Sequence, residues 1–141
     1  MAGFNLKSNL NEVEYKRVRV ASQAYTIGDA VMLDRTSDTV DVVPATASST
    51  NINIFGVAME TVDNTATDLL IALLRPGQTW ECACTNPTNE NYDYQRMILT
   101  DKATVNNTGT DDTSVNAVVT QVGKTSSTKG LFTFNQTQVA S

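Results

Sequence analysis

Apolar residues in this chain recur at every second position, in short runs broken by Gly, Pro, Asn and Asp, and almost nowhere at the 3.6-residue period of an amphipathic helix. That period allows strands and excludes a helical bundle. Arg17-Val18-Arg19-Val20 alternates polar with apolar, and Ala30 to Leu33 follows after an Ile27-Gly28-Asp29 turn. A polar loop from Asp34 to Asp38 leads to Thr39 to Val43, which Pro44 closes because it has no N–H to give a ladder. After the small-residue loop 45–51, Ile54 to Met59 reads as a strand. Leu69 to Leu74 does not alternate, which predicts a strand covered on both sides; a short buried helix would look similar, but Pro76 arrives too soon for one. Pro76-Gly77 suits the centre of a type II turn, and Thr79 to Thr85 then puts Trp80, Cys82 and Cys84 on one strand face. Further strands are expected at Arg96 to Thr100, Val115 to Val122 and Leu131 to Phe134. The expectation is an all-β fold, a small barrel or sandwich, with less than about 15% helix.

The halves resemble each other. Ala30-Val31-Met32-Leu33-Asp34 matches Arg96-Met97-Ile98-Leu99-Thr100 at an offset of 66. Gly56 to Val62 lines up with Ala117 to Gly123 at an offset of 61, and the same offset carries Leu69 to Leu73 onto Gly130 to Phe134. Two related β modules, 15–85 and 92–135, are one reading; a single irregular barrel of similar strands is the other. Residues 1–14 lack a sustained period and are expected to be an N-terminal arm ahead of a β body spanning 15–141.

Composition removes whole classes of function. The net charge is -5, so a general affinity for nucleic acid or anionic membranes lacks its electrostatic basis. Leu69 to Leu74 is too short to cross a bilayer, and the first sixteen residues contain no apolar h-region; a soluble protein made in a cytoplasm is expected. With no His in the chain, the ordinary Ser-His-Asp and Cys-His arrangements are absent, and no phosphate-binding Gly pattern occurs. No enzymatic activity and no cofactor are expected.

Metal binding is also not expected. Cys82 and Cys84 would need two carboxylates to complete a zinc site, an uncommon set, and two buried, inert thiols are the plainer reading. Asp29, Asp34, Asp38 and Asp41 are close in sequence but lack EF-hand spacing, which suggests a solvated acidic rim. Asn106-Asn107-Thr108 and Asn135-Gln136-Thr137 fit the glycosylation pattern by coincidence of composition. Trp80 is read as a core residue, and Tyr92 and Tyr94 as candidates for either packing or stacking on a sugar.

The segments Ile27-Gly28-Asp29-Ala30-Val31, Ile54-Phe55-Gly56-Val57-Ala58 and Pro76-Gly77-Gln78-Thr79-Trp80-Glu81, in that order, resemble the small decoration (cement) proteins of tailed-bacteriophage heads. Their β modules often show a Gly-Asp-led strand, a Gly-Val-Ala strand and a Gly-led strand near Trp. The resemblance spans residues 17–84 directly and the second half through the repeat. It implies a structural virion protein on the capsid exterior that binds the major capsid protein and stabilises the shell, commonly as a homotrimer at three-fold positions. Some such proteins reach a neighbouring subunit with a terminal arm, which would make Phe4, Leu6 and Leu10 apolar anchors and Lys7 the partner of an acidic group. On that reading residues 1–14 are mobile in the free protein; an edge strand of the body is the alternative. Two other functions fit the composition: a virion carbohydrate- or receptor-binding module, and a head-fibre or tail component.

Overall fold

A computed structural model of the chain describes residues 3–8, 13–35, 40–51, 53–108 and 111–135. Among them there are eleven strands, one 3-10 turn at Glu90–Tyr92 and no α-helix. In chain order the strands are β1 (Asn5–Leu6), β2 (Tyr15–Arg19), β3 (Ala30–Asp34), β4 (Asp41–Pro44), β5 (Ile54–Ala58) and β6 (Asp68–Leu73). They continue with β7 (Trp80–Cys84), β8 (Arg96–Asp101), β9 (Thr104–Asn106), β10 (Val119–Lys124) and β11 (Lys129–Phe134).

The strands form two sheets. The first runs β2-β6-β5-β3-β4 and the second runs β7-β11-β10-β8-β9, with β1 added beside β7. In the second sheet β9 returns to pair in parallel with β7, so five strands close into a barrel. In the first sheet the same closure is a single parallel bridge, Val20 to Val42.

The two sheets repeat one topology. Counted within each half, both have the order first, fifth, fourth, second, third. Leu33 pairs with Val42 as Leu99 pairs with Val105, residues 66 and 63 further on. Val18 pairs with Leu69 as Cys82 pairs with Gly130, at offsets of 64 and 61. Even the closing bond recurs: Ala21 N donates to Val42 O at 3.1 Å, and Thr85 N to Val105 O at 2.9 Å.

The offsets of 66 for β3 onto β8 and 61 for β6 onto β11 are those read from sequence. For β5 onto β10 the ladders give 63, because Gly56 pairs with Leu73 where Val119 pairs with Phe134. The sequence alignment slipped there by two residues, which keeps the face and so leaves the apolar pattern unchanged. The module boundary also moves. The Trp80 strand opens the second barrel rather than ending the first, since its ladder partner is β11.

Packing explains the runs that do not alternate. Leu69, Ile71 and Leu73 of β6 face a core made only of first-barrel residues, among them Val31, Leu33 and Val42. Ala72 and Leu74 instead enter a second core with Trp80, Met97, Leu99, Val119 and Phe132 of the other barrel. One face of β6 therefore fills its own barrel and the other is covered by the neighbour. Backbone bonds fasten the joint: Ala30 N donates to Lys102 O at 2.8 Å and Asn51 N to Val115 O at 2.8 Å.

Three short features were not legible as strands or were placed differently. β1 and β9 have two and three residues and too few apolar positions to show a period. Val115, expected in a strand, is 59% exposed and lies within the turn closed by the bond from Ala117 N to Ser114 O, and β10 begins only at Val119.

Candidate docking surface

The N-terminal segment was expected to be a free arm, but the structure makes residues 3–8 part of the second barrel. One edge of β7 is shared: β9 pairs with Ala83 and Cys84, and β1 pairs with Trp80 and Glu81. β1 thus fills the part of the barrel seam that β9 is too short to reach. Lys7 N donates to Thr79 O at 2.8 Å, and Thr79 N donates to Ser8 Oγ at 2.8 Å.

Phe4 is 1% exposed, with its ring 4.9 Å from that of Phe134, which stands edge-on to Trp80 at 6.2 Å. Its burial stabilises the fold and removes it from any outside partner. Gly3 has φ +80, and a Cβ there would lie 2.5 Å from Gly28 O, the atom that accepts from Phe4 N at 2.7 Å. Glycine is therefore what allows the chain to turn into the barrel.

Leu6 is half-buried against the shared core. Lys7 is half-exposed, with Nζ 4.0 Å from Glu81 Oε1, and Lys129 approaches the same carboxylate at 3.9 Å. Leu10 lies outside the described residues. Of the four expected contact residues, Phe4, Leu6 and Lys7 line a groove of about 430 Å³ between the barrels, with Tyr15, Ile27 and Met59 on its far side and Ala72 and Trp80 among its lining. The alternation Phe4-x-Leu6 was the only sequence trace of this strand.

The expected acidic rim is dispersed. Asp29 is buried, accepts from Thr26 N at 2.9 Å and meets Lys102 Nζ at 3.2 Å, so it is a link between barrels. Asp34 and Asp41 sit opposite each other in the β3–β4 hairpin, and Asp41 accepts from Arg19 at 2.6 Å. Asp38 lies outside the described residues. Among the described residues no three acidic or Cys side chains come together as a metal site would require. Cys82 and Cys84 are free thiols, both pushed up from the usual range by burial, and Cys82 Sγ donates to Ala103 O at 3.3 Å.

Tyr92 and Tyr94 do not form one stacking platform. Tyr92 packs against the core, whereas Tyr94 is 79% exposed and held at φ 69. Their loop is fixed by Gln121, a wholly buried amide that sequence reading passed over. Thr88 Oγ1 donates to its Oε1 at 2.6 Å, and its Nε2 donates to Asn89 O at 2.9 Å and Asp93 Oδ1 at 3.0 Å. The available signal was a polar residue in phase with Val119 on the buried face of β10.

Fold and surface together define an all-β body of two like barrels fused through one core. The chain matches no protein-family model and no curated protein.

Proposed function

We propose that this protein is a non-enzymatic structural component of a tailed-phage virion that binds the outer face of the capsid and stabilises it. The observation that carries the reading is the build of the body: two repeated barrels share a core, and the chain's own first strand latches the second. Such a body resists deformation, and Tyr15, Val40, Tyr94 and Val115 stand exposed on it. Modest contacts suffice when many copies sit on one shell.

The segments that carry the resemblance also build the joint. Gly28 O receives Phe4 N, Asp29 pairs with Lys102, and Trp80 lies in the shared core. The partner is the major capsid protein, and three-fold positions on the shell favour a trimer. The exposed Tyr94 on its pinned loop favours glycan binding as a second reading.

Adding the purified protein to capsids lacking a decoration layer tests the proposal. Co-sedimentation at saturating stoichiometry and a raised capsid disruption temperature are expected. No co-sedimentation, together with glycan-array binding abolished by Tyr94→Ala, would replace it with the second reading.

A further inference from the structure

The repeat exposes a difference between the barrels. In the second, the seam edge of β7 at Trp80 and Glu81 is covered by β1. The equivalent edge of the first barrel is β2 at Lys16 and Arg17, each 64 residues earlier, as the β2–β6 and β7–β11 ladders fix. Among the described residues no strand covers it, for β2 ends its sheet and meets β4 only beyond Arg17, through the Arg19–Asp41 ion pair and the Val20–Val42 bridge.

The backbone there points outward. Glu14 O accepts from Leu73 N at 2.9 Å and Val20 N donates to Thr67 O at 3.1 Å, so the even-numbered residues of β2 bond β6. By alternation, the N–H and C=O groups of Tyr15 and Arg17 face the seam. In the second barrel the matching groups are in use: Thr79 O, at the place of Tyr15, accepts from Lys7 N.

We propose that this edge of the first barrel is an acceptor site for an extended, acidic segment of a partner protein, which adds as a strand beside Tyr15–Arg17. The side chains specify the guest. Where the second barrel pairs Leu6 with Trp80, the first offers Lys16, an exposed cation with no ion pair among the described residues. Arg17 beside it is already matched by Glu60 at 2.9 Å and Asp68 at 3.0 Å. A carboxylate opposite Lys16 makes the favourable cross-strand pair, and a β-branched residue next to it lies opposite Tyr15, a residue 56% exposed. The guest therefore reads acidic then β-branched, and backbone pairing supplies the rest. This site stands on the barrel geometry and does not depend on the virion reading.

The test uses two peptides, acetyl-TTEVT-amide and acetyl-TTKVT-amide, titrated to millimolar concentration into the full chain and followed by amide NMR. The acidic peptide is expected to shift the Tyr15 and Arg17 amides and slow their hydrogen exchange, with the basic peptide roughly fivefold weaker. Lys16→Glu, a change at an exposed side chain, should reverse the order. No change at the Tyr15 and Arg17 amides with either peptide would show that Lys16 merely guards a bare edge, and overturns the proposal. Binding that ignores Lys16→Glu overturns the acidic specificity.

Discussion

Replacing Phe4 by Ala separates a latch from an arm. The side chain is 1% exposed, stacks at 4.9 Å on Phe134 and belongs to the core that joins the barrels. Truncating a buried Phe costs about 3 to 5 kcal/mol, through lost transfer energy and the cavity left behind. With an unfolding entropy of about 2.1 cal/mol/K per residue, the whole chain changes by about 0.3 kcal/mol for each degree. A loss of about 4 kcal/mol therefore lowers Tm by roughly 13 °C. Thermal melts followed by circular dichroism and calorimetry measure this, with Lys7→Ala as the control. The Lys7 pair is long and half-exposed, so that variant should melt within about 2 °C of the parent. If Phe4→Ala also melts within about 2 °C, the segment contributes nothing to the fold and the latch is wrong.

Tyr25 makes the first barrel sensitive to alkali: its hydroxyl donates to Val42 O at 3.1 Å, and burial, with Asp41 adding, pushes its pKa up to about 12. The unfolded chain ionises this phenol near pH 10, so its contribution is complete below about pH 10 and is lost as pH rises to about 12, a loss of at most about 3 kcal/mol. Urea unfolding across that range should show this slope in the parent and its absence in Tyr25→Phe; equal slopes would refute it. Gln121→Leu strips partners from Thr88, Asn89 and Asp93 and should cost about 2 to 3 kcal/mol, with faster exchange across residues 86–95. An unchanged melt would mean that water replaces the amide.

The alternation of β2 and the closing Pro44 were legible because one barrel face is apolar wherever a strand lies, and a period of two survives in a single sequence. The two-sided burial of Leu69 to Leu74 was equally plain, since a strand covered twice loses its polar phase. Offsets of 66 and 61 already marked a repeat, because duplicated strands keep their pattern even when side chains differ. Sequence alone could not assign Trp80 to the second barrel, as a ladder partner fifty residues away leaves no local trace. Nor could it seat Phe4, whose place depends on β9 pairing only with Ala83 and Cys84 and leaving Trp80 and Glu81 of the β7 edge for β1. Strand identity follows from local periodicity, whereas the closure of one barrel and the edge of the other that no described strand covers follow from which edges tertiary pairing leaves open.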